Sequence, residues 1–264
     1  MTQRRPGFPA RIGPPAQGGA APRAPAASRR PASWPGNVAL AAAPAGVGLD
    51  SAAVRERMLA RIAASGAASP QVLDAMRAVE RHRFVDTGLA NQAYEDTSLP
   101  IGFGQTISKP SVVARMIGLL LDAPGARVGG LGRVLEIGTG CGYQAAVLSK
   151  VAREVYSIER LRGLHERART HLRPLRLANV HLLLGDGVLG FASGAPYAGI
   201  LAAAGGAALP PAWCEQLAVG GRLVAPIADA SGVQSLLVID RSAQGFTRTV
   251  LEAVHFVPLK SGIG

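Results

Sequence analysis

The sequence has little cysteine and no long apolar run, and both shortages narrow the class of protein. Only two cysteines occur among 264 residues, Cys141 and Cys214, and neither stands in a paired metal-ligand spacing. Two isolated cysteines cannot form the disulfide framework of a small secreted protein, so a reducing cytoplasm is the expected location. No apolar segment approaches the ~20 residues that a membrane-spanning helix needs. We therefore expect a cytoplasmic protein without a membrane partner and without a bound metal.

Acidic residues are absent from the first 49 positions, which makes the charge distribution uneven. The formal net charge is +11, and six arginines place +6 of it in residues 1–49. Residues 50–264 hold 22 basic and 17 acidic residues, without a lysine- or arginine-rich run interleaved with aromatics. Nucleic-acid grooves usually need such a run, so nucleic acid is not an expected partner.

Residues 1–49 consist mainly of Pro, Ala, Gly and Arg, with few spaced large apolar side chains. Such a segment cannot bury enough apolar surface to offset the entropy of ordering, so a disordered leader is predicted. Arg4-Arg5 are not expected to open an export signal, because prolines interrupt the segment that would have to be apolar. The remaining residues 50–264 are long enough for one catalytic domain.

Hydrophobic periodicity divides residues 50–264 into a helical start and an alternating α/β remainder. Helices are predicted at 50–66, 69–79 and 110–120, with a loop-rich passage between His82 and Pro110. The predicted strands are Val134–Ile137, Val155–Ile158, Val180–Leu184, Gly199–Ala202, Arg222–Pro226, Ser235–Ile239 and Val250–Phe256. Helices are expected after the first four strands, and the last two strands are expected to form an antiparallel hairpin. The pattern predicts an α/β fold with a doubly wound, mostly parallel seven-stranded sheet and an N-terminal helical layer.

A glycine-rich turn after the first of these strands is the strongest local signal. The run Glu136-Ile137-Gly138-Thr139-Gly140-Cys141-Gly142-Tyr143-Gln144 passes from a strand through three glycines into a helix. Glycines let the backbone pass close under a ligand, and the start of the helix presents unpaired N–H groups. A dinucleotide site favours glycine at the sixth position, where Tyr143 stands, and the Gly-Lys-Ser/Thr of an ATP loop is missing. With an acid two residues upstream, the turn resembles instead the first motif of S-adenosylmethionine-dependent methyltransferases.

Acidic side chains also close the next two predicted strands. Glu159 ends the second strand, where a carboxylate can accept hydrogen bonds from both ribose hydroxyls. Asp186 follows the third strand, where it can accept from an adenine amino group. Either acid alone could be a solvated strand end or a turn former. Three acids at successive strand ends together predict S-adenosyl-L-methionine as the cofactor, bound by Glu136, Gly138, Thr139, Gly140, Cys141, Gly142, Glu159, Asp186 and Gly187.

A second motif, Gly102-Phe103-Gly104-Gln105-Thr106-Ile107-Ser108-Lys109-Pro110, lies in the loop-rich passage. Together with the Glu136–Gln144 run and the closing Phe256-Val257-Pro258-Leu259, it resembles the protein-L-isoaspartate (D-aspartate) O-methyltransferase family over about residues 52–260. The resemblance implies a Rossmann-like class I methyltransferase. Its activity would be methyl transfer from S-adenosylmethionine to the free α-carboxylate of L-isoaspartyl residues, and of D-aspartyl residues, in damaged proteins.

The resemblance also assigns roles within this second motif. Ser108 is implied as the active-site residue, and Thr106 and Ile107 are implied to line the pocket for the peptide carboxylate. A Ser-x-Pro run is also typical of a helix N-cap, so Ser108 could cap the helix that begins at Pro110. The implied partners are isoaspartyl-containing proteins and peptides, and the enzyme is expected to be a monomer.

The chain departs from the family pattern at the fourth strand. The family usually has an aromatic-Asp pair and then Ala-Ala-Pro, whereas this chain has Tyr197-Ala198 and then Ala203-Ala204-Gly205-Gly206. The missing carboxylate is expected to adjoin the methyl-transfer region, and the glycines are expected to loosen the loop, so the predicted activity is retained but reduced. Two alternatives stay open: a class I methyltransferase for another acceptor, and a module that binds cofactor or damaged peptide without turnover. An NAD-dependent oxidoreductase is a third, disfavoured by Tyr143.

Overall fold

The structure of the protein is a computed structural model that describes residues 52–66 and 68–264. The predicted disordered leader 1–49 and the predicted helix start at Asp50-Ser51 lie outside the described residues. The helices are α1 (Ala52–Ala64), α2 (Pro70–Arg77), α3 (Pro110–Leu121), α4 (Pro124–Gly129), α5 (Tyr143–Leu148), α6 (Arg162–Leu172) and α7 (Pro211–Gln216). The strands are β1 (Leu99–Gly102), β2 (Gln105–Ile107), β3 (Leu131–Ile137), β4 (Ala152–Glu159), β5 (Val180–Leu184), β6 (Tyr197–Ala202), β7 (Leu217–Ala228), β8 (Gln234–Ser242) and β9 (Gly245–Val254).

The first two helices form a small layer against α3, as their apolar spacing predicts. Met58 and Ile62 of α1 and Met76 of α2 are buried, and α1, α2 and α3 contact one another. Helix α2 starts with Ser69 at the N-cap and Pro70 in the first turn, where the missing N–H of proline is not needed.

The large sheet has the strand order β5-β4-β3-β6-β7-β8-β9. Strands β5 to β7 pair in parallel, and β8 and β9 complete the sheet as an antiparallel hairpin. The prediction of a doubly wound, mostly parallel seven-stranded sheet is confirmed. The chain leaves β3 toward β4 on one side and later returns to β6 on the other, so the carboxyl end of β3 is the switch point where such sheets bind ligands.

Apolar side chains cover both faces of this sheet. One cluster joins the N-terminal helices to the sheet and includes Met116 and Val134, and the other lies around Ile200 and Trp213 on the opposite face. Within the described residues, no helix combines the length and the apolar character needed to cross a bilayer. The same residues contain no group of three or more His, Cys, Asp or Glu side chains that could hold a metal ion.

Two predicted stretches differ in the structure. The passage from 82 to 110 contains two 3₁₀ turns, Arg81–Phe84 and Thr87–Gln92, and the antiparallel pair β1–β2. Strands of three and four residues are too short to produce a recognisable alternation, so the sequence pattern did not reveal them. The helix predicted after β5 is wrong, because that connection contains only the 3₁₀ turns Gly187–Leu189 and Ala192–Gly194. Glycines at 187, 190 and 194 and a proline at 196 interrupt any helix there.

Candidate active site

The glycine-rich turn adopts a backbone conformation that requires glycine. It joins β3 to α5, and the φ angles of Gly138, Gly140 and Gly142 are +89°, +56° and +93°. Side chains with a Cβ strongly disfavour this left-handed region, so the three glycines determine the course of the loop. The N–H groups of Gly138 and Thr139 donate to the carbonyl of Ile158 at 2.8 and 3.2 Å, which attaches the turn to β4.

A buried polar network lies beneath the turn. The Ser157 hydroxyl, fully buried on β4, donates to the carboxylate of Glu136 and lies 2.6 Å from the Thr139 hydroxyl. The Gln144 amide of α5 donates to the same carboxylate at 3.1 Å. Burial raises the pKa of Glu136 to about 7, against hydrogen bonds from Ser157 and Gln144 that lower it. Glu136 therefore connects the two ends of the turn from below.

Glu159 fixes the same turn from the side. Its Oε2 accepts a hydrogen bond from the Gly140 N–H at 2.9 Å, and its Oε1 accepts one from the Leu161 N–H at 2.9 Å. A carboxylate oxygen can accept more than one hydrogen bond, so both oxygens keep acceptor capacity toward the cavity that Glu159 lines. This position at the end of β4 is the one predicted for the ribose-binding acid.

Asp186, after β5, is engaged by backbone on both sides. Its Oδ1 accepts from the Val188 N–H at 2.9 Å, and its Oδ2 accepts from the Gly262 N–H at 2.7 Å. The carboxylate therefore joins the start of a 3₁₀ turn to the C-terminal segment, while the adjacent Gly187 faces the cavity. A Cβ at Gly187 would lie 2.5 Å from Ile137, so only glycine fits beside the end of β3.

The Gln105–Ser108 segment reaches the cavity from the N-terminal side. Strand β2 pairs with β1, with Leu99 opposite Ile107, and Ser108 follows directly. Among the described residues, no hydrogen bond engages the hydroxyls of Thr106 or Ser108, so both are available to a ligand. The N-cap of α3 is Lys109 without a side-chain cap, so the alternative role of Ser108 as a capping residue is not observed.

The two motifs meet in one cavity of about 880 Å³, its open mouth included. Of the predicted site residues, it is lined by Thr106, Ile107, Ser108, Gly138, Thr139, Gly140, Cys141, Glu159 and Gly187. The predicted site residues Glu136, Gly142 and Asp186 are not part of this lining. Burial raises the pKa of Cys141 to about 11, so its thiol stays protonated near neutrality and is not a nucleophile.

Several lining residues were not predicted. Arg160 and Leu161 follow Glu159, Ala203 and Ala204 follow β6, and the range 257–260 comes from the C-terminal segment. The closing Phe256–Leu259 motif was a sequence signal for the last group, but it carried no indication of position. For Arg160, Leu161, Ala203 and Ala204, the available signal was their position directly after the carboxyl ends of β4 and β6, where such sheets bind ligands.

The expectation that Ala198 adjoins the methyl-transfer region is wrong. Ala198 is the second residue of β6, whereas the cavity is lined by Ala203 and Ala204 beyond the carboxyl end of that strand. At ~3.3 Å per residue, Ala198 lies roughly 16 Å from Ala203. The missing carboxylate is therefore at the opposite end of the strand from the site.

The expectation of a loosened Gly205-Gly206 loop is also wrong. The Gly205 N–H donates to the Val257 carbonyl at 2.9 Å, and the Gly205 carbonyl accepts from the Leu259 N–H at 2.7 Å. A Cβ at Gly205 would lie 2.7 Å from the amide of Gln234, which itself bonds the backbone of the C-terminal segment. Glycine here lets the loop pair with that segment, so the loop is held on both sides.

Comparison with known proteins agrees with this geometry. The family model for Protein-L-isoaspartate(D-aspartate) O-methyltransferase (PCMT) matches residues 53–264. A protein-L-isoaspartate O-methyltransferase of Methylibium petroleiphilum is 64% identical over 221 residues, which cover 83% of this chain and 81% of the relative. The sequence-based resemblance is confirmed.

Solved structures agree on the fold. A protein-L-isoaspartate O-methyltransferase structure is 28% identical, with a TM-score of 0.69, and the match covers 80% of this chain and 67% of that one. A second structure, from Plasmodium falciparum in complex with S-adenosyl-L-homocysteine, has a TM-score of 0.67 at 22% identity, and the match covers 78% of this chain and 98% of that one. The predicted Rossmann-like class I methyltransferase fold is confirmed. With a family model that matches most of its length and a relative at this identity, the chain belongs to the protein-L-isoaspartate (D-aspartate) O-methyltransferase family.

Proposed function

We propose that this protein transfers the methyl group of S-adenosyl-L-methionine to the free α-carboxylate of L-isoaspartyl residues in damaged proteins. The observation that carries the proposal is the single cavity shared by the Gln105–Ser108 segment and the glycine-rich turn. One motif alone would support a generic methyltransferase. Both motifs line the same cavity, and this supports the repair activity of the family.

The residues present fit S-adenosylmethionine. The left-handed glycines at 138 and 140 let the backbone of the turn pass close to a ligand without an intervening side chain. A Cβ at Gly140 would lie 3.2 Å from Ile101. Glu159 offers carboxylate oxygens for the ribose hydroxyls, and the backbone at Gly187 borders the adenine end in our assignment. Glu136 acts indirectly in this scheme, because it supports Thr139 and Gln144 from below the turn.

When bound, S-adenosylmethionine supplies an electrophilic methyl group on a sulfonium. The chain's own task is to orient the acceptor carboxylate, and we assign this to the hydroxyls of Ser108 and Thr106, which are available to donate hydrogen bonds. No base is needed, because a free α-carboxyl has a pKa of about 3.3–3.7 and is ionised near neutrality. Hydroxyl donors that hold one carboxylate oxygen in line with the methyl carbon would contribute through orientation.

Apolar side chains complete the acceptor side. Ile107 is buried between Thr106 and Ser108, and Ile101 and Val113 line the cavity beside it. An apolar wall excludes water from the reacting carboxylate and strengthens the hydrogen bonds that orient it. Ile107 therefore shapes the carboxylate pocket without contributing a polar group.

The test is methyl transfer to an isoaspartyl peptide and to the same peptide with normal aspartate. The wild-type protein should esterify only the first. Ser108→Ala should lower kcat/KM by ~10–100-fold, the loss of one charge-assisted hydrogen bond at the reacting group. Ser149→Ala is the matched control, because the Ser149 hydroxyl donates to the Ala146 carbonyl at 2.7 Å and Ser149 does not line the cavity. Its kcat/KM should stay within about twofold of the wild-type value. Equal methylation of both peptides, or of neither, would reject the proposed function.

We also propose that the protein acts in the cytoplasm as a monomer on proteins and peptides, not on nucleic acid. The support is the charge distribution, which places more than half of the excess positive charge in residues 1–49. Light scattering at a concentration used for activity tests the monomer, and a dimer mass would contradict it.

A further inference from the structure

Arg81 is a fully buried arginine that connects three separate backbone segments beside the site. Its Nε donates to the Ala93 carbonyl at 2.8 Å, and its Nη2 donates to the Ser108 carbonyl at 2.8 Å. A longer contact of 3.4 Å reaches the Thr97 carbonyl. The rigid planar guanidinium therefore sets the distance between the Ser108 backbone and the segment after the second 3₁₀ turn.

The same side chain also contacts the cofactor half of the site. The guanidinium carbon of Arg81 lies 5.0 Å from the centroid of the Tyr143 ring, a cation–π geometry. Tyr143 opens α5 and lines the cavity together with Ser108. Arg81 is thus packed between the two motifs, directly behind the residue to which we assign the carboxylate.

The positive charge of Arg81 has no carboxylate in contact. Among the described residues, no salt bridge includes Arg81, and its Nη1 is buried without a hydrogen-bond partner. Asp96, whose charge favours the charged form of Arg81 without an ion-pair contact, is engaged by the N–H and hydroxyl of Ser111 at 2.8 and 2.7 Å. Burial lowers the pKa of Arg81, yet a guanidinium stays protonated in proteins.

Arg222 shows what a compensated arginine looks like in the same protein. It donates to both carboxylate oxygens of Asp240 at 2.6 and 2.8 Å and to the Leu119 carbonyl at 2.9 Å. A buried charge without such a partner is costly, unless a ligand of opposite sign compensates it. The uncompensated charge of Arg81 points to an anionic ligand at the Ser108 end of the cavity.

We propose that Arg81 is a positioning residue for the substrate carboxylate. It fixes the backbone of Ser108, and therefore the hydroxyl of that residue, and its uncompensated charge favours an anion over a neutral group in the same pocket. This role rests on the proposed function, because it assumes that Ser108 faces the carboxylate. It differs from a purely structural role, which would support all ligands equally.

The test compares two peptides in the presence of S-adenosyl-L-homocysteine: one with the free isoaspartyl α-carboxylate and one with the α-carboxamide. Calorimetry gives the ratio of the two Kd values without turnover. In the wild-type protein, the carboxylate should bind about tenfold more tightly, and Arg81→Gln should reduce this preference to about twofold. Arg81→Lys should lie between them, since it keeps the charge but loses the fork. Arg222→Lys, the matched control, should keep the wild-type ratio.

Each outcome decides the question. A wild-type ratio in Arg81→Gln, or equal losses for both peptides and for S-adenosyl-L-homocysteine, would overturn the proposal in favour of a structural role. If Arg81→Gln does not fold, the ratio is measured on Arg81→Lys, and a wild-type ratio there has the same meaning. A wild-type protein that shows no carboxylate preference and no methyl transfer would instead reject the proposed function.

Discussion

The cofactor region and the substrate region of this protein are held in place by opposite chemistry. In the cofactor region, defined as the turn 138–142 with the ends of β3, β4 and β5, the acidic side chains Glu159 and Asp186 accept hydrogen bonds from the loop backbone. In the substrate region, defined as 99–108, arginines donate to backbone carbonyls. Arg81 holds the Ser108 carbonyl, and Arg167 of α6 holds the Ile101 carbonyl.

This difference teaches which groups each region leaves for its ligand. In the cofactor region, the carboxylates already accept hydrogen bonds from backbone N–H groups. The glycine-rich turn is hydrogen-bonded to β4. The substrate region is fixed through its carbonyls, which leaves the hydroxyls of Thr106 and Ser108 available. We expect changes in the first region to affect S-adenosyl-L-homocysteine binding, and changes in the second to affect the peptide KM.

The largest expected effect concerns the buried Glu136. Its pKa is raised from 4.5 to about 7 by burial, so the folded protein holds a proton that the unfolded chain releases in this interval. The free energy of unfolding should therefore fall as pH rises from about 4.5 to about 7, by about 3 kcal/mol from this group. The glutamine in Glu136→Gln does not titrate. The free energy of unfolding of this variant, relative to that of the wild type, should therefore rise by the same amount between pH 4.5 and about 7. Urea unfolding at several pH values measures it.

The control for this experiment is Glu166→Gln, an exposed acid of α6 paired with Arg169. Its free energy of unfolding should run parallel to that of the wild type across the same interval. If the difference in free energy of unfolding between Glu136→Gln and the wild type also stays constant with pH, Glu136 does not titrate in this interval. The description of the cofactor region as held by a buried acid would then be wrong.

The second effect is on cofactor affinity. Glu159→Gln would place an amide NH₂ where two backbone N–H groups, of Gly140 and Leu161, now donate to a carboxylate. One donor would face another, and a ribose acceptor would be lost. We expect the Kd of S-adenosyl-L-homocysteine to rise about 30-fold, ~2 kcal/mol, by calorimetry. An unchanged Kd, with a raised peptide KM, would invert the comparison between the two regions.

The third effect is on the substrate region alone. Phe103, at the tip of the β1–β2 hairpin, has a φ of +55° and lies against Gly163 of α6. A Cβ at Gly163 would be 2.2 Å from the Phe103 Cζ, so Gly163→Ala must displace the Phe103 ring from its place against α6. The peptide KM should rise about fivefold, while the Kd of S-adenosyl-L-homocysteine stays within about twofold.

A double variant separates the contact from other effects of the added methyl group. In Phe103→Ala, the space beside Gly163 is empty, so adding Gly163→Ala should cause no further rise in peptide KM. If the rise in peptide KM in the double variant equals the sum of the two single effects on a free-energy scale, Phe103 and Gly163 act independently. The coupling between Phe103 and Gly163 would then be rejected.

The sequence predicted the cofactor region better than the substrate region, and the reason is physical. Left-handed glycines and strand-end acids act locally, so their positions along the chain carry the signal, as for Gly138 and Glu159. Arg81 acts through carbonyls 12 and 27 residues away, and no spacing rule marks such contacts. The β1–β2 pair was missed for a related reason, because its strands are short and their partners are set by tertiary packing.

The smallest effect is predicted for Ala198→Asp, which restores the acid of the family pattern. Ala198 lies at the amino end of β6, and its Cβ packs beside Gly132 on β3, roughly 16 Å from Ala203 at the site. The rate of methyl transfer should stay within about twofold, because neither region of the comparison contacts this position. A half-buried carboxylate beside the apolar cluster should lower the free energy of unfolding by about 1 kcal/mol. Parallel rate and urea-unfolding measurements check both, and a fivefold gain in rate would show that the two ends of β6 are coupled.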